Sequence, residues 1–461
     1  MSVDAHPLVS HTDPDAVLAW RHGQPVSVAQ FVADAQRLAQ QLPAGSHVLN
    51  ACADRYHFAV GLAAALLRGK TSLLPPSHTP ETIRQMKDFA PDVFCLCDGA
   101  TSIDLPLFHF DAAGAASSEA ARTAFDTVPL IPAERTLALV FTSGSTGTPV
   151  PHRKTWGRIV ENIRAEAAAL LLPAGAGPQV VGTVPPQHMY GLESSVLLPM
   201  LSGGALCAAH PFYPADIVAA LAQMPRPRLL VTTPVHLRAL LESAVPTPVI
   251  DLVLSATAPL SEELAAQAEA RLGAPLQEIY GSTETGQIAT RHSTRTRHWT
   301  PMAGITLSQR GERCWASGGH IETEMPLGDV LTLEDDGRFL MHGRVGDMIN
   351  IAGKRHSLAH LNHQLLAIEG VVDGVFFMPD VENAGGVTRL AAFVVAPGST
   401  EAGLRKALRQ RIDPIFMPRP LVLLDRLLRN STGKLTRETM TGLVGAHLRS
   451  AGARGKSTDE L

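Results

Sequence analysis

The sequence predicts an α/β protein whose large N-terminal domain has parallel-rich sheets covered by helices, followed by a small α+β domain. Between residues 137 and 290, short apolar runs typical of buried strands alternate with helical segments such as Ser261–Leu272. These runs are Leu137–Thr142, Val180–Val184, Leu229–Thr233 and Ile250–Ser255. Such alternation favours a parallel sheet with both faces covered. From about residue 345 the pattern restarts, with strand-like runs near Val371–Met378 and Leu390–Val395 and a helix at Glu401–Arg411.

The N-terminal region is predicted to contribute further helices and strands. Ser27 and Gln30 match the capping box that starts a helix, and apolar residues then recur at helical spacing. The Ala/Leu-rich run Phe58–Leu67 predicts a buried helix, and Thr71–Leu74 predicts a strand. Residues 99–134 are rich in Ala, Ser and Pro and lack a clear period, so we expect surface connections there.

The composition is that of an ordinary globular protein. The chain has 461 residues, of which 45% are apolar and 18% charged, with a net charge of −4, enough for two or three domains. No apolar run approaches the ~20 residues of a membrane span, and no secretory signal is visible, so we expect a cytoplasmic protein without a transmembrane segment. The balanced charge gives no indication of nucleic-acid binding. The five cysteines lack zinc-ligand spacing and are expected to be free thiols.

The apolar run Leu137–Phe141 leads directly into a segment of hydroxyl residues and glycines. Glycines permit positive φ and close approach, so the backbone N–H groups and hydroxyls of this segment can surround an anion such as a triphosphate. The segment has neither the Walker pattern nor the G-x-S-x-G frame of a hydrolase nucleophile. Taken alone, it is equally compatible with a flexible linker. Its residues are Thr142, Ser143, Gly144, Ser145, Thr146 and Gly147.

Four segments, in order along the chain, resemble the motifs of the adenylate-forming superfamily. This superfamily includes acyl- and aryl-CoA ligases, peptide-synthetase adenylation domains, luciferases and acyl-carrier-protein ligases. The first segment is the loop just described. The others are Tyr280–Gly286, Gly328–Asp329 with Gly343–Gly353, and Asn430–Arg437. Because all four occur in the family's order across most of the chain, the chain is identified as a member of this superfamily.

The resemblance implies two domains joined by a hinge. Residues 1–343 would form the N-terminal adenylation core that binds ATP and the acid. Residues 344–348 would form the hinge, and residues 349–461 a mobile C-terminal domain that carries the catalytic lysine. The family's hinge residue is commonly Asp or Lys, whereas this chain has Gly346, which restricts the backbone less.

The resemblance also implies a site for ATP and Mg²⁺. Thr283 would bond the α-phosphate, and Glu284 would bind Mg²⁺, a hard cation that prefers oxygen ligands. Lys434 would stabilise the negative charge where the reacting carboxylate meets the α-phosphate. Asp329 and Arg344 would hold the ribose. Further residues expected to contact the nucleotide are Ser255, Ala256, Thr257, Tyr280, Gly281 and Ser282.

The cation that serves the phosphate loop is left open by the sequence. Many family members carry Lys directly after the loop proline, but Val150 follows Pro149 here. The basic triplet His152, Arg153 and Lys154 comes later. We assign Lys154 to the site, with Arg153 as the alternative. A solvent-exposed start of a helix would also account for these charges.

The acid pocket is expected around His188. This residue matches the histidine-bearing segment that lines the family's acid pocket and is taken as part of the catalytic site, although a lone histidine is also compatible with a structural role. The neighbouring Met189, Tyr190, Gly191 and Ser194 are compact or semi-polar. They favour a small planar acid, such as a hydroxybenzoate, over a long alkyl chain.

The predicted function is ATP- and Mg²⁺-dependent conversion of a small aromatic carboxylic acid to acyl-AMP, with release of pyrophosphate. The acyl group would then pass to the phosphopantetheine thiol of a holo acyl carrier protein. The segment Pro149–Trp156 resembles that of free-standing AMP-ligases of aryl-polyene and xanthomonadin-type pigment pathways. A basic strip of Arg291, Arg295, Arg297 and His298 suits an acidic carrier protein. The alternatives are an aryl- or acyl-CoA ligase that uses free CoA and, from another class, a nucleotide-binding pseudoenzyme.

Overall fold

The computed structural model describes residues 4–110, 118–143, 149–173, 175–311, 313–344, 348–351, 354–379, 390–429, 435 and 439–445. The chain divides into two compact units. The first comprises Met1–Ser308 and Trp315–Met325, and the second comprises Gln309–Cys314 and Pro326–Leu461. The predicted hinge at residues 344–348, with Gly346, stays a prediction because residues 345–347 lie outside the described residues.

Strands and helices alternate through most of the first unit. Its strands up to residue 143 are β1 (Ala5–Pro7), β2 (Val17–Arg21), β3 (Gln24–Ser27), β4 (His47–Asn50), β5 (Thr71–Leu74), β6 (Phe94–Cys97), β7 (Leu107–His109), β8 (Leu130–Pro132) and β9 (Thr136–Ser143). The next are β10 (Pro149–Thr155), β11 (Gln179–Gly182), β12 (Ala205–Cys207), β13 (Arg228–Thr232), β14 (Leu252–Ser255), β15 (Leu276–Ser282), β16 (Gly286–Arg291) and β17 (Thr300–Pro301). The division between the two units falls within a meander of β18 (Ile305–Arg310), β19 (Arg313–Gly318) and β20 (Ile321–Pro326).

Several helices of the first unit begin at a residue whose side chain caps the first turn. The helices of this unit are α1 (Val28–Gln41), α2 (Arg55–Leu67), α3 (Pro80–Phe89), α4 (Ser118–Ala124), α5 (Trp156–Ala169), α6 (Met189–Gly191), a π-helix (Leu192–Leu197), α7 (Leu198–Ser202), α8 (Pro214–Gln223), α9 (Pro234–Glu242) and α10 (Glu262–Leu272). Ser27 Oγ accepts a hydrogen bond from the Gln30 N–H at 3.2 Å, which confirms the predicted start of α1. Helix α10 begins after Ser261 and ends at Gly273, whose φ of 65° is readily adopted by glycine.

Two sheets form the framework of the first unit. The larger has the strand order β17-β16-β15-β14-β13-β11-β12-β2-β3, and its six strands from β15 to β2 are parallel. The smaller has the order β10-β9-β5-β4-β6-β7, in which only β10 is antiparallel to its neighbour. The predicted helix Phe58–Leu67 is α2, and its residues from Phe58 to Leu66 are buried. These sheets confirm the prediction of parallel, covered strands.

The prediction for residues 99–134 was wrong in part. Strands β7 and β8 and helix α4 lie in this region, which the sequence assigned to surface connections. Each strand has only three residues, too few to show a period, and β7 occupies a sheet edge where side chains are less buried.

The second unit is a separate α+β assembly. Its strands are β21 (Asp329–Leu333), β22 (Phe339–Arg344), β23 (Met348–Ile351), β24 (Lys354–Ser357), β25 (Asp373–Phe377), β26 (Ala391–Val395) and β27 (Leu421–Leu423), and its helices are α11 (Leu358–Leu366) and α12 (Glu401–Arg409). Strands β25 and β26 and helix α12 confirm the predicted restart of the pattern. Leu361, Phe376, Leu404 and Leu408 contribute to one buried core. Among the described helices of the whole chain, none is long and apolar enough to cross a membrane.

Candidate active site

The parallel strands of the larger sheet end along one edge, and several predicted site residues lie there. Strand β14 ends at Ser255 and β15 at Ser282, and the register pairs Thr232 of β13 with Ser255. Sheets of this kind bind ligands beyond the carboxyl ends of their strands. The predicted nucleotide motifs therefore lie where the fold itself favours a binding site.

The segment from Ser255 to Thr257 has two features typical of a binding site. Thr257 has a φ of 77°, in the left-handed region that β-branched residues rarely adopt. The Ser255 side chain is buried, and its Oγ finds no hydrogen-bond partner among the described residues. A buried polar group without a partner costs about 1–3 kcal/mol. Both features indicate that this edge is shaped for a ligand.

His188 caps the short helix α6 beside this edge. Its Nδ1 accepts a hydrogen bond from the Tyr190 N–H at 3.3 Å. The Tyr190 hydroxyl donates to two backbone carbonyls at the ends of β13 and β14, at 3.2 and 2.9 Å. Ser194, which the sequence placed in the acid pocket, is fully buried and donates to Glu166 Oε1 at 2.6 Å. Its place in the acid pocket stays a prediction.

Thr283 and Glu284 lie at the tip of the hairpin between β15 and β16. Ser282 and Thr285 close the tip by reciprocal bonds: each backbone N–H donates to the other residue's hydroxyl, at 3.2 Å in both cases. Gly281 is required here, since a Cβ at this position would lie 2.1 Å from the carbonyl oxygen of Gly286. The hairpin therefore holds Thr283 and Glu284 in a tight, preorganised turn.

Glu284 faces the strands that flank the predicted phosphate loop. Its Oε1 lies 3.7 Å from His152 Nε2, and the same nitrogen lies 2.9 Å from the Thr142 hydroxyl. Burial lowers the pKa of His152, with smaller and opposed effects from Glu284 and Lys154. A neutral imidazole at His152 can bond the Thr142 hydroxyl and lie beside the Glu284 carboxylate without adding charge. The sequence named His152 only as a member of a basic triplet, and its position is a new finding.

The structure separates the two candidate cations of β10. Lys154 Nζ donates to the backbone carbonyl of Glu284 at 3.2 Å, whereas Arg153 pairs with Glu322 at 3.4 Å. Alternate side chains of a strand point to opposite faces, so His152 and Lys154 share one face and Arg153 takes the other. Both Arg153 and Glu322 are substantially exposed. Lys154, and not Arg153, therefore lies beside Glu284.

The remaining predicted site residues divide between the second unit and the undescribed segments. Asp329 and Arg344 are paired in register in the β21–β22 hairpin, and their role in holding the ribose stays a prediction. The side chains of Ser143 and Arg344 lie outside the described residues. So do Gly144, Ser145, Thr146, Gly147, Gly346 and Lys434, whose roles stay predictions.

One residue of the predicted basic strip, Arg291, is paired with a carboxylate of the protein. Arg291 Nε donates to Glu278 Oε2 at 2.9 Å, and the guanidinium lies 4.6 Å from the Trp299 ring. Glu278 is buried, so Arg291 serves to balance an interior carboxylate. Only Arg295 and Arg297 remain as exposed cations of the strip.

Glu284 has the properties of a ligand for Mg²⁺ that is shared with a phosphate substrate. Its side chain is 35% exposed, so its oxygens are accessible to a cation. Among the described residues, no group of three or more His, Cys, Asp or Glu side chains could hold a metal ion. Mg²⁺ commonly takes one or two carboxylates and completes its shell with phosphate oxygens and water. A single accessible carboxylate therefore fits the predicted Mg²⁺ ligand, with phosphate oxygens and water completing the shell.

Comparisons with known proteins identify relatives of this chain. The sequence profile of the AMP-binding enzyme family matches residues 9–353. A 4-coumarate–CoA ligase of Rhodobacter capsulatus is 32% identical over 312 residues, which cover 68% of this chain and 72% of that ligase. An L-proline–[L-prolyl-carrier protein] ligase of Streptomyces coelicolor is 27% identical over 348 residues, or 64% of each chain. The solved structure of ATP-bound MatB from Rhodopseudomonas palustris superposes with a TM-score of 0.77 at 19% identity and covers 94% of this chain and 96% of MatB.

The chain belongs to the AMP-binding enzyme family. It is an acid–thiol ligase, an enzyme that activates a carboxylic acid with ATP by forming an adenylate. The likeness to MatB confirms the predicted α/β fold. The acid, the thiol and the pigment pathway stay predictions.

Proposed function

We propose that the protein uses Mg²⁺ and ATP to convert a small aromatic carboxylic acid to acyl-AMP and then transfers the acyl group to the phosphopantetheine thiol of an acyl carrier protein. One observation supports this proposal most directly. Lys154, His152 and Glu284 lie close together beside Thr142. One cation, one metal-binding carboxylate and two neutral hydrogen-bonding groups are what a bound triphosphate needs.

In the first step, a carboxylate oxygen of the acid attacks the α-phosphorus of ATP, and the bond to the β-phosphate bridging oxygen breaks to release pyrophosphate. Lys154 would neutralise charge on the leaving phosphates, in place of the lysine that many family members carry after the loop proline. Thr283 would bond the α-phosphate, and Lys434 would stabilise the charge that develops there. Bound Mg²⁺, held by Glu284, would supply charge neutralisation and alignment of the phosphate oxygens.

In the second step, the thiolate attacks the acyl carbon, and AMP leaves with the shared electron pair of the C–O bond. The acid would bind beside His188 and Tyr190, whose ring is fixed by hydrogen bonds from its hydroxyl. Asp329 and Arg344 would hold the ribose hydroxyls, and Ser255, Ala256, Thr257 and Tyr280 would contact the adenine. Gly346 would act as the hinge between the two steps.

The acceptor has two candidates. Similarity to an L-prolyl-carrier-protein ligase supports a carrier protein, and the exposed Arg295 and Arg297 would favour its acidic surface. Similarity to a 4-coumarate–CoA ligase supports free CoA as the second candidate.

Acid-dependent exchange of labelled pyrophosphate into ATP, measured across a library of aromatic and aliphatic acids, tests the first step. We expect the strongest exchange with a small aromatic acid. Acylation of holo carrier protein and of CoA, measured side by side with the best acid, tests the second step. Higher turnover with CoA would make the CoA ligase correct, and no exchange with any acid would contradict the proposed function.

A further inference from the structure

A buried polar cluster packs against the hairpin that carries Glu284. Its members come from α5, from the π-helix, from β16 and from the turn before β20, and all belong to the first unit. Each is at most 7% exposed. The members are Asn162, Glu166, Glu193, Ser194, Gln287 and His320. Such a concentration of polar groups in a protein interior is unusual.

Hydrogen bonds connect these side chains into two short chains. Asn162 Nδ2 donates to Glu193 Oε1 at 2.5 Å. Gln287 Nε2 donates to Ser194 Oγ at 2.8 Å, and Ser194 Oγ donates to Glu166 Oε1 at 2.6 Å. Glu193 also accepts from the backbone N–H of Gln287. Both chains therefore end on β16, the strand that leaves the hairpin.

The cluster closes around the last residues of the hairpin. His320 Nε2 lies 3.0 Å from the carbonyl oxygen of Thr285 and donates to it. Gly286 has a φ of 72°, and a Cβ at this position would lie 2.9 Å from Asn162 Nδ2 and 3.2 Å from Glu193 Oε1. Side chains from three other elements thus surround the backbone at Thr285 and Gly286, and His320 bonds it directly. Glu284 directly precedes this segment.

A contribution to folding stability does not by itself explain why Glu166 and Glu193 are buried. Burial raises the pKa of Glu166 to about 7 and that of Glu193 to about 8. Glu166 Oε2, Asn162 Oδ1 and Gln287 Oε1 are buried and find no hydrogen-bond donor among the described residues. Well-packed apolar side chains at such positions are often as stable or more stable. Burial of this cluster costs free energy, and the cluster contacts the active-site hairpin. Both facts indicate that the cluster positions the hairpin.

We propose that Glu193 and Asn162 are positioning residues that hold the β15–β16 hairpin so that Thr283 and Glu284 meet Mg²⁺ and ATP in the right geometry. The inference rests on the proposed function, since it takes Glu284 as the metal-binding carboxylate. Neither Glu193 nor Asn162 would touch the substrate. Their effect would pass through Gly286 and the backbone of Gln287 to the hairpin tip.

The test compares Glu193→Gln and Asn162→Ala with a matched control, Asp34→Asn. Gln keeps the volume of Glu193 but replaces one of its two oxygens, which together accept from Asn162 and from the Gln287 N–H, with a donor NH2 group. Asp34 is a buried carboxylate of the same unit that accepts hydrogen bonds from Gln30 on α1 and from Tyr56 on α2 and also pairs with Arg37. Its replacement reports the general effect of disturbing a buried polar group. Calorimetry measures the Kd for Mg·ATP, and exchange kinetics give separate KM values for ATP and the acid.

We expect both cluster variants to weaken Mg·ATP binding ~10–100-fold, as loss of groups that orient a metal ligand typically does. The KM for the acid should change less than about twofold, and the thermal stability should match that of the control. An unchanged Kd for Mg·ATP in either folded variant, or a loss equal to the control's, would overturn the inference. If Glu193→Gln does not fold, Asn162→Ala decides.

Failure of the proposed function would give different results from failure of the positioning role. A wild-type protein that binds Mg·ATP but shows no acid-dependent exchange would contradict the reaction, while the binding measurements would still decide the positioning role. A wild-type protein that does not bind Mg·ATP would contradict both.

Discussion

Lys154 Nζ donates a hydrogen bond to the backbone carbonyl of Glu284, across 130 residues of sequence and at 3.2 Å. The contact joins the strand after the predicted phosphate loop to the hairpin that presents the predicted metal ligand. Burial lowers the pKa of Lys154, and the carboxylates of Glu193, Glu284 and Glu322 oppose this effect. A cation in this position can serve both the phosphates and the hairpin.

Lys154→Ala should reduce exchange far more than Arg153→Ala. A preorganised charge at a developing negative charge is worth on the order of 10²–10³-fold in rate. Arg153 is exposed and pairs with Glu322, so its removal should change the exchange rate less than about threefold. The comparison uses exchange rates at saturating acid over a range of ATP concentrations. A larger loss in the Arg153 variant would reverse the assignment.

Glu284→Gln should lose most exchange activity while the protein stays folded. The carboxylate is partly exposed, so the change weakens metal binding without disturbing a core. Raising the Mg²⁺ concentration should restore part of the rate. Glu322→Gln, which changes an exposed glutamate that pairs with Arg153, serves as the control. Normal rates for Glu284→Gln at ordinary Mg²⁺ would show that another residue holds the metal.

Glu166→Gln should make the protein less sensitive to alkaline pH. The pKa of Glu166 rises from 4.5 to about 7 on folding because of burial, so the folded state holds a proton that the unfolded state has lost. This stabilisation is complete below pH 4.5 and disappears as pH rises through about 7. Groups that face Glu166 are the carboxyl of Glu193 and the hydroxyls of Tyr190 and Ser194.

Urea unfolding at pH 6 and pH 9 measures the effect. Wild type should lose roughly 1–3 kcal/mol more than Glu166→Gln between these pH values. Glu263→Gln, which changes an exposed glutamate on α10, should behave as wild type. Equal pH slopes for wild type and Glu166→Gln would mean that Glu166 is already ionised at pH 6.

The sequence predicted the framework because buried strands and helix caps carry strong local signals. Ser27 with Gln30 marked α1, and the run Phe58–Leu67 marked α2, since both depend on neighbouring residues alone. Strand β10 was harder, because Pro149, Pro151 and three basic residues hide the period of a strand. Its register decides between Lys154 and Arg153, and register is a tertiary property.

The buried cluster could not be predicted from the sequence, because burial of these side chains is also a tertiary property. Glu166 lies in an Ala-rich segment with other charges and reads as a surface residue of an amphipathic helix. Glu193 follows the histidine-bearing segment, where nothing local distinguishes a buried carboxyl from an exposed one. Only the packing of α5 and the π-helix against β16 brings these residues under Gly286.

Lys434→Ala should separate the two half-reactions. Its ammonium is needed where the carboxylate meets the α-phosphate, so acid-dependent pyrophosphate release should fall on the order of 10²–10³-fold. Transfer of the acyl group from chemically supplied acyl-AMP to the thiol should continue at close to the wild-type rate, since that step no longer involves pyrophosphate. Normal exchange in this variant would contradict the catalytic role assigned to Lys434.

In the proposed first step, the acid carboxylate attacks the α-phosphorus of ATP. Incubation with an acid labelled with ¹⁸O in both carboxylate oxygens, followed by mass spectrometry of the nucleotide and phosphate products, tests this directly. We predict AMP that carries one ¹⁸O atom, unlabelled pyrophosphate and no ADP. Unlabelled AMP, or ADP with ¹⁸O in inorganic phosphate, would contradict the proposed reaction, because the acid carboxylate would then not attack the α-phosphorus.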